Sequence, residues 1–270
     1  MQSELFRLTK EYQEVSEKYI NLEKHNQYLI SHHSTAIEGN TLTILETEIF
    51  LEKGLTASGK PLAHHMMVKN HFEALQFVTH YAKSKRNISI DLIKQINAHI
   101  MKDTGTIHNT VLGSFDESKG DLRLLNVRAG LSGESYMSFD KVEKNLKTLV
   151  TDLNAKLEIV NSVEEINELA FLAHYQLVTI HPFSDGNGRT SRLLMNYIQS
   201  FHGVPLSIVF EQNRHAYIQS LIDTRKSEDI QIFLNFMNNE HIQFLKGEIK
   251  TLTEEQKPKT KNINKINLIF

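Results

Sequence analysis

Glycine and proline fill only 12 and 4 of the 270 positions, about half of ordinary usage. A fold made of many strands needs turn residues at short, regular intervals. This chain does not supply them, so it is expected to be all-α, mainly helical. One stretch departs from that texture. Gly105, Gly113, Gly120, Gly130 and Gly133 crowd together, and Leu122–Val127 lies among them, bounded by glycine. A small β-hairpin is expected there.

The helical periodicity is legible elsewhere. Leu5, Leu8, Tyr12, Val15, Tyr19 and Leu22 recur at helical spacing within residues 4–30. Ser58, Gly59 and Pro61 mark a connection, followed by helical patterns over 62–82, 88–101 and 139–157. Ser162 and Glu165 form a capping-box signature ahead of a run that is apolar on most sides, up to Ile180. Such a helix belongs in the centre of a fold. His181-Pro182 ends it. A second helix is expected from Asn187–Gly188 to Gly203. No internal repeat is present. The organisation expected is an N-terminal helical region over 1–60, a core over 61–250, and a Lys-, Thr- and Asn-rich tail over 251–270.

Composition removes several classes of function. With no cysteine, disulfides, thiolate metal sites and catalytic thiols are excluded. A net charge of −2 argues against a nucleic-acid partner. No apolar run is long enough to span a membrane, and MQSELFRLTK carries no signal-peptide core, so a cytoplasmic location is expected.

The chemistry concentrates in residues 181–192, His-Pro-Phe-Ser-Asp-Gly-Asn-Gly-Arg-Thr-Ser-Arg. A glycine-bearing loop here feeds a helix N-terminus, where unpaired amides and the helix dipole favour anions. Arg189 and Arg192 share one face of the first turn. Cations there oppose the dipole by about 0.3–1 kcal/mol each, and a bound polyanion reverses that sign. Asp185 is a hard oxygen ligand suited to Mg²⁺. His181 is the residue of the loop able to take a proton near neutral pH. No Walker sequence, Gly-x-Gly-x-x-Gly or His-Glu-x-x-His competes with it.

HPFSDGNGRTSR resembles the signature of the Fic family, HxFx(D/E)GNGRxxR, without departure at a defined position. The resemblance extends from about Ser31 to about Phe236. It implies a mainly helical fold with a β-hairpin flap, and transfer of AMP from ATP to a Ser, Thr or Tyr hydroxyl of a target protein, the chain itself included. By the same resemblance His181 is the general base and Phe183 packs under the loop. Asp185 binds Mg²⁺ or Mn²⁺, and Gly186, Asn187 and Gly188 form the anion hole. Arg189 contacts the phosphate chain, and Arg192 holds the γ-phosphate. Removal of AMP from a target, or nucleotide binding without catalysis, remains open on the sequence. So do the target, the group transferred and the oligomeric state, a homodimer included.

Ser34-Thr-Ala-Ile-Glu38-Gly39 is similar to the inhibitory motif (S/T)xxxE(G/N) of the class that carries its inhibitory helix N-terminally in the same chain. The resemblance implies that Glu38 pairs with Arg192. Gly120–Val127 resembles the flap, with Leu124, Leu125, Asn126 and Val127 expected to register an extended target segment by strand addition. Asn196 and Tyr217 lie where relatives contact adenosine. The adjacent pairs His32/His33 and His64/His65 are expected to diverge on helices, solvated or partly buried, rather than to bind metal.

Overall fold

The computed structural model describes residues 3–128, 133 and 135–255. Its centre is the helix pair α7 (Val163–Ile180) and α8 (Asn187–His202). Ser162 caps α7: its side chain accepts from Glu165 N–H at 3.2 Å, and the Glu165 carboxylate accepts from Ser162 N–H at 3.2 Å. Ala170, Phe171, Ala173, His174 and Leu177 of α7 are all fully buried, as the apolar run predicts. Burying each large apolar side chain contributes about 1.5–3 kcal/mol. At the far end His181 takes the left-handed conformation (φ 52°) and Pro182 follows, so the helix stops where the motif begins.

Around this pair lie α1 (Glu4–Ser16), α2 (Leu22–Ala36), α3 (Ile44–Lys53), α4 (Leu62–Lys83), α5 (Ile90–Met101) and α6 (Phe139–Leu157). Two further helices, α9 (Arg214–Ser227) and α10 (Ile230–Glu255), close the described chain. Helix α8 packs on α4 and α5 as well as on α7, while α1 lies along α10 and α2 along α4. Residues 256–270 of the expected tail lie outside the described residues.

The periodic stretch over 4–30 forms two helices. Helix α1 ends at Ser16, and Asn21 precedes α2 at φ 68°, a left-handed conformation that asparagine tolerates better than most residues. The regular hairpin lies within the expected glycine-rich stretch, ahead of residues 122–127. Strands β1 (Ile107–Thr110) and β2 (Gly113–Asp116) pair antiparallel, Ile107 opposite Asp116 and Thr110 opposite Gly113. Residues 121–127 form no ladder. Arg123 within this stretch is 1 % exposed, and its guanidinium binds backbone carbonyls. It donates to Leu125 O at 2.7 Å and to Met137 O. Beyond it, among the described residues, the chain is joined to residues 135–136 by the antiparallel bridge of Arg128 with Ser135 and by Tyr136 N–H to Val127 O. Gly130, expected to close the flap, lies outside the described residues.

Candidate active site

The loop from His181 to Gly186 is held rigidly from within and from α5. Phe183 is buried and its backbone is stapled by Asn187, which accepts from Phe183 N–H at 3.0 Å and donates to Phe183 O at 2.9 Å. Asn97 of α5 donates to Asp185 O at 3.0 Å and to Thr190 Oγ1 at 3.1 Å. Gly186 sits at φ +79°, and a Cβ there would meet Asn97 Nδ2 at 2.7 Å, so both conformation and space require glycine. The first intrahelical bond of α8 runs from Thr190 N–H to Gly186 O. The amides before it lie at the helix end, where an anion is favoured.

The two arginines of the first turn meet different fates. Arg192 is buried and fully engaged: it donates to Ser34 Oγ at 2.9 Å, to Ser34 O at 2.7 Å and to Glu38 Oε1 at 2.7 Å. Tyr217 completes its surroundings, with its hydroxyl 3.5 Å from Nη1 and hydrogen-bonded to buried His174 at 2.9 Å. Arg189 is equally buried, yet its Nε and Nη1 have no hydrogen-bond partner among the described residues. Its one ion pair among the described residues is with Asp185, at 3.3 Å. A buried guanidinium with unmet donors is costly unless something supplies acceptors. Asp185 itself is largely exposed and accepts from Gly186 N–H at 2.6 Å, which leaves carboxylate oxygen available to a cation.

Glu38 follows α2 and projects onto the start of α8. A Cβ added to Gly188 would meet Glu38 Oε1 at 2.5 Å. The carboxylate therefore lies directly over the helix end. Burial alone would raise its pKa; the charge and hydrogen bond of Arg192, with Arg189 and Arg214 beyond, outweigh that and hold it below the ordinary carboxylate value.

His181 is stacked face to face with Tyr136, centroids 3.6 Å apart and planes 11° apart. Arg225 covers Tyr136, its guanidinium carbon 5.2 Å from the ring centroid. Burial pushes the imidazole down to about 4, partly opposed by its contact with Val178 O, so it is neutral at pH 7. Nδ1 lies 3.3 Å from Val178 O, a contact that assigns the Nδ1–H tautomer and directs Nε2 as the acceptor. Arg123 donates to His181 O at 2.8 Å, so one guanidinium joins the motif histidine to the 122–127 segment. Within that segment Leu124, Leu125 and Val127 are half-buried and Asn126 is exposed, its side chain accepting from Phe139 N–H at the start of α6.

The structure thus gathers Ser34, Glu38, Asp185, Gly188, Arg189, Arg192 and Tyr217 at one helix end. It ties Asn196 elsewhere: that amide donates to Ser207 O at 3.0 Å and to Gln199 Oε1 at 3.3 Å. Sequence reasoning did not single out Arg123, Tyr136, Asn97 or His174. A lone Arg or Tyr in a glycine-rich stretch has no periodicity to betray it. The histidine pairs differ from expectation too. His32, His33 and His65 are buried, and the rings of His32 and His33 converge to 4.9 Å instead of diverging.

Residues 87–199, which include this helix-loop-helix, match the model of the Fic/DOC family, so that stretch is a Fic domain. It is 34% identical over 233 residues to "Protein adenylyltransferase fic-1" of Caenorhabditis elegans, covering 84% of this chain and 42% of that protein. It is 34% identical over 207 residues to "Protein adenylyltransferase Fic" of Nematostella vectensis, covering 76% of this chain and 45% of that one. The chain spans less than half the length of these relatives. Among solved structures, a Fic domain containing signaling protein from Bacteroides thetaiotaomicron superposes with a TM-score of 0.78 at 25% identity, covering 93% of this chain and 97% of that one. Fic-1 (residues 134–508) from C. elegans superposes with a TM-score of 0.73 at 27% identity, covering 93% and 71%.

Proposed function

We propose that the chain is a protein adenylyltransferase that transfers AMP from ATP to a hydroxyl of a target protein, and that Glu38 holds it inactive. The observation that carries this reading is the Glu38 carboxylate seated on Arg192 and over Gly188. An acceptor-only group occupies ground that a triphosphate would need. With Glu38 withdrawn, the amides at the start of α8 face the phosphates, Arg192 takes the γ-phosphate, and the unmet donors of Arg189 find acceptors.

The base is His181. Its neutral ring takes the proton of the target hydroxyl as that oxygen attacks the α-phosphorus; the bond to the β-phosphate oxygen breaks and pyrophosphate leaves. Such catalysis is mostly positioning and charge stabilisation, with the base adding typically about 10²–10⁴ in rate. Asp185, a largely exposed carboxylate beside the helix end, fits a hard divalent cation, Mg²⁺ or Mn²⁺. When bound, that ion supplies charge neutralisation of the phosphates. Leu124–Val127 would align the target, and Tyr217 would hold Arg192 in place.

Incubating wild type and Glu38→Gly with labelled ATP and Mg²⁺, followed by mass spectrometry, tests the reading. AMP added to the Glu38→Gly protein, and lost again in Glu38→Gly/His181→Ala, is the expected result. A Glu38→Gly protein that binds ATP and adds nothing to itself or to lysate proteins would overturn it.

A further inference from the structure

His32 and His33 lie on α2 a few residues before Glu38, and both are buried. Each faces Glu211, which opens the short 3-10 turn leading into α9. His32 Nε2 is 3.3 Å from Glu211 Oε2, and His33 Nδ1 lies 3.4 Å from Glu211 N. The three side-chain donor atoms all fall within 4.8 Å of one another. Solvent reaches the group through an open cleft of about 490 Å³ lined by His32, Asn40, Leu42 and Glu211. Phe210 packs edge-on against His33, with ring centroids 5.1 Å apart, and walls the other side.

We infer that His32, His33 and Glu211 form a binding site for a zinc ion, separate from Asp185. Two imidazoles and one carboxylate are a known zinc donor set, with water completing a tetrahedron. Imidazole also discriminates against Mg²⁺, which prefers oxygen. Zinc bonds of roughly 2.0–2.2 Å place donors roughly 3.4 Å apart. The His32–Glu211 pair already meets that spacing. The third donor lies within 4.8 Å of both, and the Glu211 side chain, 44% exposed, has room to adjust. The contact of His33 with Glu211 N–H is long and is the one that metal binding gives up.

The placement has a consequence. Just beyond the site, Arg214 of α9 donates to Ile37 O at 2.6 Å, and Tyr217 of the same helix meets Arg192. Zinc would strengthen the existing contacts between α2 and the 211–217 segment, beside the Arg214–Ile37 bond that holds the residue next to Glu38. A metal there would fasten the Glu38 arm down.

The test is a titration of chelator-stripped protein with Zn²⁺ against a chromophoric chelator, without nucleotide. Wild type and Asp185→Ala are expected to take up one equivalent alike. Glu211→Ala, a change at a half-exposed side chain that leaves the core intact, is expected to bind at least about tenfold more weakly, since even outer partners of metal ligands are worth about 10–100-fold. His33→Gln is expected to do the same, with circular dichroism verifying its fold. A wild type that binds no zinc, or a folded Glu211→Ala that binds as well as wild type, overturns the site. The regulatory consequence rests on the proposed transferase reading; the titration does not, so the two fail separately. In the activity assay, zinc is expected to lower residual self-modification of wild type and to leave Glu38→Gly unchanged. Equal inhibition of both proteins overturns the regulatory role.

Discussion

Glu38 Oε1 lies 2.7 Å from Arg192 Nη2 and also occupies the space above Gly188, where a Cβ would approach it to 2.5 Å. One carboxylate therefore neutralises the buried arginine and covers the helix end that attracts anions. Its removal frees both at once. Glu38→Gly is expected to raise self-modification with ATP and Mg²⁺ by well over tenfold, about 1.4 kcal/mol of barrier per decade. Glu38→Gln, which keeps the bulk and loses the charge, should fall between. Equal rates for wild type and Glu38→Gly would sink the idea.

Ser34 supplies Arg192 with a hydroxyl acceptor at 2.9 Å from within the same helix that precedes Glu38. Hydrogen bonds to charged groups contribute about 1.5–3 kcal/mol, but the Ser34 carbonyl contact survives truncation. Ser34→Ala should thus loosen the clasp without removing it. The expected outcome is partial activation, smaller than that of Glu38→Gly, measured in the same radiolabel assay. Full activation by Ser34→Ala would assign the restraint to the hydroxyl instead.

The pH dependence follows from the His181–Tyr136 stack. An ordinary histidine titrates near 6.5, and burial brings His181 down to about 4. His181, the proposed base, is therefore already neutral above about pH 5. The acid limb of the Glu38→Gly rate profile should fall near pH 4 rather than 6.5. In Tyr136→Ala, with the stacking face removed, the limb should move up toward 6.5, while Tyr136→Phe leaves it in place. Stability carries the same sign. The folded state holds His181 neutral, so protonation favours the unfolded chain, and stability declines as pH falls from about 6.5 toward 4. Buried His33 and His241, each also pushed down to about 4, add to that decline.

Much of this was written in the chain, and the boundary is instructive. Helices α7 and α8 announce themselves because an apolar run with a capping box admits one reading, and His181-Pro182 fixes its end. The Glu38–Arg192 pair is legible only through the family resemblance, since the two residues are far apart in sequence and spacing cannot bring them together. The exact strands within the glycine-rich stretch are not legible, because Ile107–Thr110 and Gly113–Asp116 are joined by Val111-Leu112, not by the Asn-Gly or Asp-Gly that signals a tight turn. The 122–127 stretch, short and bounded by glycine, reads as part of the hairpin, and nothing local marks Arg123 within it as buried. The same holds for the histidine pairs: adjacency on a helix suggests divergence, but tertiary packing against Glu211 and Phe210 draws His32 and His33 together.

Arg123 is where fold and site meet most tightly. Its guanidinium donates to Leu125 O, Met137 O and His181 O, so it links the segment expected to receive the target to the backbone of His181, the proposed base. Burial lowers its pKa somewhat, yet it stays charged, and three carbonyl acceptors offset the cost of desolvation. Lysine could reach one of these carbonyls but not fork across three. Arg123→Lys in the Glu38→Gly background should leave ATP binding within a few-fold, because no phosphate-facing residue is touched. Transfer to a protein target should drop by at least about tenfold, since small misplacements of reacting groups cost up to about 10² in rate. Calorimetric ATP binding beside single-turnover transfer separates the two. Loss of ATP binding in parallel with transfer would show that Arg123 supports the phosphate site as a whole, not the alignment of base and target.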